Sequence, residues 1–229
     1  MEFEPTFSPE TKNKENEEDK KNIEEKAEEL EEDTRIEEIE KSNFPPNIKM
    51  NLLLTVAGEK PAFYEPGFID YKEVNNKELE EKRENIEERM DRALSLLEKL
   101  ELPTITGKDK IIDEGEEIGE EYWIIGGKDK KSLERLKEIH EQEAPDLEEL
   151  GKAFGFPETA ARAFSKGQDF LAPVEEVDQR LENEEEGLSN FLNFRLSKDH
   201  FDEELEFVKR RKKLIKKISP DLYKEIKNT

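Results

Sequence analysis

The sequence has no cysteine. Disulfides, thiolate metal sites, iron–sulfur clusters and cysteine nucleophiles are therefore excluded. It has no long apolar run, so no membrane span is expected. Its acidic start, Met1-Glu2-Phe3-Glu4, is unlike the basic start of a secretory signal, and none is expected. Apolar residues are scarce: 32% of 229, against about 45–50% in an ordinary domain. Positive charge is also short, with 38 Lys and Arg against 61 Asp and Glu, a formal charge of −23. What is present is 13 Phe, together with regularly spaced Leu and Ile. These argue for a core.

The charge is unevenly spread. Residues 1–42 hold 17 acidic and 7 basic residues, residues 43–207 hold 42 and 22, and residues 208–229 hold 2 and 9. The opening 15 residues, with Pro5 and Pro9, have a composition expected to be disordered. Residues 16–41 carry Ile23, Ala27 and Leu30 at helical spacing, then Ile36 and Ile39. So thin a stripe gives a helix that is marginal alone. Residues 1–42 therefore read as an acidic, disordered or marginally helical arm, and 43–229 as one domain. Such an arm is either solvated or docked on a partner or sister subunit.

Pro45-Pro46 ends the arm. Ile48, Met50, Leu52, Leu54 and Val56 then alternate with Lys49, Asn51 and Thr55, which predicts a strand over 48–57. Phe63–Phe68 is aromatic but turn-rich and reads as a loop, with a short strand at Ile69–Tyr71. Residues 76–101 form the clearest helix. Asn75 and Glu78 suit its capping box, and Leu79, Ile86, Met90, Ala93, Leu94, Leu97 and Leu100 share one face. Ile105 and Ile111-Ile112 flank Gly107-Lys108-Asp109, a candidate hairpin, and Gly115 and Gly119 bracket an acidic loop. Tyr122-Trp123-Ile124-Ile125, closed by Gly126-Gly127, reads as a buried strand. Helices follow. One spans 130–142, one is capped by Asp146, and one runs from Pro157 to Gly167 with Ala160, Ala161 and Phe164 buried. A long one is capped by Asp199, and a last one starts at Ser219-Pro220.

No complete catalytic constellation can be assembled. His140 and His200 stand far apart and in no metal-binding spacing, so no metal is expected. His140 lies beside an apolar stripe and reads as a packing residue. His200 lies in a helix's first turn, which disfavours a charged imidazole and would suit a general base, against a plain surface position. Gly126-Gly127-Lys128-Asp129-Lys130-Lys131-Ser132 opens a helix after a strand but lacks the phosphate-loop and dinucleotide spacings. Lys128, Lys130 and Lys131 are anion-binding candidates there, against a plain turn capped by Asp129. The run 208–217 holds seven bases, Lys209, Arg210, Arg211, Lys212 and Lys213 foremost. It can meet phosphates. It has no interleaved aromatics for base stacking, and the rest of the chain repels nucleic acid. The expected fate of this run is either to lie against acidic segments of the same molecule or to sit exposed on a face opposite the apolar stripe, and nucleic acid is not an expected partner.

One segment, Leu150-Gly151-Lys152-Ala153-Phe154-Gly155-Phe156-Pro157-Glu158-Thr159-Ala160, carries a resemblance. It resembles the Leu-Gly-x-x-Leu-Gly-Tyr-Pro-x-Cys-Cys segment of an uncharacterised family of small prokaryotic proteins. The strand at Tyr122–Gly126, the helix at Leu133–Ile139 and the helix at Ser197–His200 are similar in order, so the resemblance spans residues 120–229. The paired cysteines fall on Thr159 and Ala160, so any thiol or metal chemistry they perform is lost here. Phe156 replaces the tyrosine. The resemblance implies a tight helix–helix corner. A site surviving there would use Glu158, Thr159 and Arg162 lining a pocket, with His200.

The expected fold is helix-rich α+β, with a small sheet from 48–57, 105–112 and 121–126 covered by helices and a long C-terminal helix. The expected protein is soluble, intracellular and cytoplasmic, without cofactor. Its expected role is non-catalytic interaction or regulation, through a protein partner or self-association. A degenerate or novel enzyme at the Phe156–Arg162 corner is the alternative, and a weak nucleic-acid or anion binder through 209–217 is the second.

Overall fold

The apolar run after Pro45-Pro46 folds as a helix, not as the strand its alternation predicts. A computed structural model describes residues 9–73, 76–140, 142 and 145–229, with side chains from residue 19 onward except those of Glu73, Asn76 and His140. In it, Pro46–Val56 is helical, with Pro46 in the first turn, where its missing N–H costs nothing. Met50, Leu52, Leu53 and Leu54 are all buried. α3 is buried over most of its surface and only a narrow face, with Asn47 exposed and Ile48 and Asn51 half-buried, is left to mark a 3.6-residue period.

Ten α-helices occur among the described residues: α1 Pro9–Leu30, α2 Thr34–Lys41, α3 Pro46–Val56, α4 Asn76–Lys99, α5 Lys130–His140, α6 Leu147–Ala153, α7 Glu158–Lys166, α8 Val174–Glu182, α9 Phe201–Ile218 and α10 Pro220–Lys227. One antiparallel sheet joins β1 Ala62–Asp70, β2 Thr104–Asp113 and β3 Glu116–Gly127 in the order β1-β3-β2. The architecture is therefore helix-rich α+β with a long helix near its C-terminus. The expected disordered start lies partly outside the described residues, and from Pro9 the backbone is helical. The Asn75 cap and the packing of His140 also lie outside the description.

The sheet differs from its expected membership. Phe63–Phe68 is not a loop but the middle of β1, with Phe63 opposite Gly126 and Phe68 opposite Glu121. Pro66 is tolerated because β1 is an edge strand. Gly107-Lys108-Asp109 is not a hairpin turn. It lies inside β2, where a Cβ on Gly107 would come within 2.0 Å of the Trp123 ring. The hairpin turns instead at Glu114-Gly115, both with positive φ, as a two-residue turn between antiparallel strands favours.

β3 is buried on both faces, which explains its unbroken apolar run. Ile124 and Phe63 join Ala93 and Leu97 of α4, and Leu100 just after it, in the main core. Trp123, Ile125 and Ala62 meet Leu133 and Leu136 of α5, with Leu150 and Phe154 of the α6 segment beside them. Each fully buried Leu contributes roughly 1.5–3 kcal/mol. Residues 16–41 add Ile23, Leu30, Ile36 and Ile39 to the main core. α1 lies along α9, with Lys217 Nζ 3.1 Å from Glu24.

The chain turns sharply between α6 and α7. Asp146 caps α6 by accepting from Glu148 N and Glu149 N. Gly155 closes the turn at φ +73° and lies against Lys60 and Pro61. Ala160, Ala161 and Ala163 form the buried side of α7, while Phe164, expected inside, is exposed. Asp199 does not cap α9. His200 occupies that position and makes no side-chain capping bond.

Candidate functional site

The α6–α7 turn, Tyr64 of β1, Asn51 of α3 and residues 193–195 line a cleft of about 470 Å³. That is enough for a small ligand. Its walls are aromatic. Ring centroids run Tyr64–Phe154 at 5.3 Å, Phe154–Phe156 at 6.3 Å and Phe156–Phe194 at 5.7 Å. Small residues on the facing helices make the space. A Cβ on Gly151 would lie 2.8 Å from the Ala161 Cβ, so the two helices meet closely there.

The polar end of the cleft is Lys60 with two carboxamides. Lys60 follows α3 in the turn that leads into β1, and it is only 5% exposed. Its Nζ donates to Asn51 Oδ1 at 2.7 Å, and Asn193 Nδ2 donates to the same oxygen at 2.9 Å. Asn193 Oδ1 is buried with no hydrogen-bond partner among the described residues. The ammonium lies 6.0 Å from the Phe156 ring centroid. No carboxylate of the described residues forms an ion pair with Lys60. Burial, reinforced by the charge of Arg211, pushes its pKa down to about 7. At neutral pH the group is thus divided between amine and ammonium.

Arg211 supports this arrangement from behind. It is buried, and its Nη2 donates to Glu59 O at 3.0 Å and Gly155 O at 2.7 Å. It thereby ties the Lys60 turn to the α6–α7 turn. Its guanidinium stacks 4.2 Å from the Phe207 ring centroid. Tyr64 also lines the cleft and donates to Glu121 Oε1 at 2.5 Å. Burial and that hydrogen bond push its hydroxyl pKa up, so it stays protonated.

The predicted corner is therefore part of the cleft, but not through its predicted polar residues. Phe156, Ala160 and Ala161 line it. Glu158 and Arg162 instead pair with each other at 2.5 Å and, with Glu148 and Lys152, form an ion-pair network. Neither they nor Thr159 belongs to the lining. His200 is exposed, and its Nδ1 lies 3.2 Å from Glu203. It does not join the corner.

Of the anion candidates, Lys130, Lys209, Arg210 and Lys212 are paired internally. Asp129 Oδ1 accepts from Ser132 N at 2.7 Å, so the N-terminus of α5 already holds a carboxylate. Lys130 pairs with Glu134, while Lys128 and Lys131 are exposed. In α9, Lys209 pairs with Glu184 and Glu206, Arg210 with Asp19 and Glu59, and Lys212 with Glu185. Arg211 and Lys212 are buried. Lys213 is exposed.

A different polar cluster centres on Glu120. Burial pushes its carboxyl up, but hydrogen bonds from Arg83, Tyr71, Lys108 and Tyr122 outweigh that and hold it well below the usual range. With four donors its acceptors are filled, which fits a structural anchor between α4 and the sheet. Among the described residues, no group of His, Asp and Glu has a metal-holding arrangement, and no helix is long and apolar enough to cross a membrane.

No family model, curated protein or solved structure matches the chain. The site thus stands on its own geometry. Sequence reasoning missed Lys60, Asn51 and Asn193. Lys60 is one of 28 lysines, and no local pattern marks it. The one available signal was its position, between a strongly apolar segment and an aromatic one.

Proposed function

We propose that this chain binds a small ligand with an aromatic or apolar body and a polar end that accepts hydrogen bonds. Lys60 carries the reading. A buried cation without a carboxylate is destabilising unless something else rewards it. Here it lines an aromatic cleft, where a carbonyl or carboxylate oxygen would take its free N–H groups. The unpaired Asn193 oxygen beside it would accept from a ligand donor. Isothermal titration with 3-phenylpropanoate tests the reading. Binding that Lys60→Met weakens at least about tenfold is the expected result, a loss of about 1.4 kcal/mol. No heat change and no protection of cleft amides at millimolar probe would overturn it.

A second reading keeps an interaction role. Phe164, Phe170 and Val174 are 47%, 45% and 51% exposed around the end of α7 and the start of α8. Exposed large apolar groups of this kind suit a protein contact. Light scattering tests self-association there: a higher mass that Phe164→Ser reduces supports it, and a monomer at all concentrations removes it.

A further inference from the structure

Three described lysines are buried: Lys49, Lys60 and Lys212. Lys49 Nζ lies 3.1 Å from Glu225, and Lys212 Nζ lies 3.1 Å from Glu185. Only Lys60 lines a cleft and has no acidic partner among the described residues. Charged groups around it do not supply one. The Glu59 carboxylate turns to Lys26 and Arg210, Tyr64 is engaged with Glu121, and Arg211 and Arg195 are cations. The set is a desolvated amine oriented by one amide oxygen and facing aromatic walls. Such a set suits an amine that reacts as a nucleophile.

We propose that Lys60 Nζ forms a reversible imine with an aldehyde or ketone group on an aromatic or apolar ligand seated in the cleft. This deepens the binding reading and rests on it. The nitrogen lone pair adds to the carbonyl carbon, forming the C–N bond while the carbonyl π electrons move to oxygen. The oxygen takes a proton from water and the nitrogen releases one, giving a carbinolamine. Loss of the hydroxyl group as water, with release of the second amine proton, leaves the C=N bond. No oxidant or reductant is consumed. Asn51 Oδ1 accepts one N–H, which helps to aim the lone pair. The folded state also supplies the reactive form. With its ammonium titrating near 7, Lys60 offers about three orders of magnitude more free amine at neutral pH than an exposed lysine near 10.4.

The test uses the full chain with 3-phenylpropanal and sodium cyanoborohydride, which reduces any imine to a stable secondary amine. Labelled lysines are located by peptide mass mapping, with exposed Lys213 as internal reference. Binding of 3-phenylpropanol, which has no carbonyl, is followed separately by saturation-transfer NMR. The expected result is labelling of Lys60 at least 100-fold faster than Lys213, rising through about pH 7 and slowed by 3-phenylpropanol. Should the alcohol bind while Lys60 reacts no faster than Lys213, the amine role is overturned and the binding reading survives. Fast labelling that the alcohol does not slow also overturns it, because the reaction would not proceed from the cleft. Absence of both binding and preferential labelling overturns both. No variant is needed, so no outcome is confounded by misfolding.

Discussion

Lys212, in the basic helix α9, and Lys60, at the cleft, are 3% and 5% exposed. Their surroundings differ. Lys212 Nζ donates to the Glu186 carbonyl at 3.0 Å and pairs with Glu185, and its neighbours Lys209 and Arg210 are also matched by acids. Lys60 has one carboxamide oxygen and a wall of rings. In a chain with 61 acidic residues, a carboxylate is close to hand for most cations. Among the described residues Lys60 is the buried lysine without one, and Arg211 beside it likewise forms no ion pair. The basic run, conspicuous in sequence, is largely absorbed by the fold, while an inconspicuous lysine is singled out.

The largest expected effect falls on the residue that joins the two regions. Arg211→Ala removes a buried side chain and both hydrogen bonds to the Glu59 and Gly155 carbonyls. Urea denaturation should show a loss of about 3–5 kcal/mol, and a loss below 1 would mean that the two turns hold without it. The same substitution at the two lysines should then act in opposite directions. Lys60→Met replaces a buried amine that has no ion pair among the described residues with an apolar chain of similar size, and should stabilise by about 1–4 kcal/mol at pH 6.

That gain is pH-dependent. The folded-state pKa of Lys60 is lowered to about 7 from 10.5, so between those values the unfolded chain binds more protons. The penalty in the wild type is full below about pH 7 and fades as pH rises toward 10.5. The stability gap between wild type and Lys60→Met should therefore close over that window. A gap constant from pH 6 to pH 10 would remove the titration at Lys60. Lys212→Met should instead destabilise by about 1 kcal/mol, since it forfeits a hydrogen bond and an ion pair. The smallest effect belongs to exposed Lys213. Lys213→Glu should leave stability within about 0.5 kcal/mol, and a larger change would show an unrecognised contact on α9.

How far the sequence was legible depends on how one-sided each element's burial is. α4 was readable because one face is wet: Ala93, Leu96 and Leu97 are buried while Glu84, Glu87 and Glu88 are exposed. β3 was readable because it combines β-branched and aromatic residues with closing glycines. α3 misled because Met50 through Leu54 is enclosed nearly all round, and a short alternation of apolar residues fits a strand equally well. β1 was hidden by Pro66 and Gly67, turn residues in most settings. Gly67 is required here because a Cβ would come within 2.7 Å of Ile86 on α4.

The candidate site was half legible. The Leu150–Ala160 segment located the corner, and Phe156 does line the cleft. The expected polar residues, Glu158, Thr159 and Arg162, do not, because α7 turns its three alanines inward and leaves the charged side to neighbouring ions. The aromatic wall required Tyr64, Phe154 and Phe194 to be brought together from distant parts of the chain.

By itself, the sequence determined the class of the fold, the strongest amphipathic helices, the buried β3 strand and the exclusion of cysteine chemistry. These follow from composition and local period, which any short window contains. Only the tertiary structure decided which strands pair with β3, that Lys209, Arg210, Lys212 and Lys217 of the basic run meet acids of their own chain, and that Lys60 lies buried without one among the described residues. The reason is physical. The state of a charged group is set by what the fold places within a few ångströms of it, and for Lys60 that includes Asn51, Phe156 and the Asn193 amide, drawn from three separated stretches of chain.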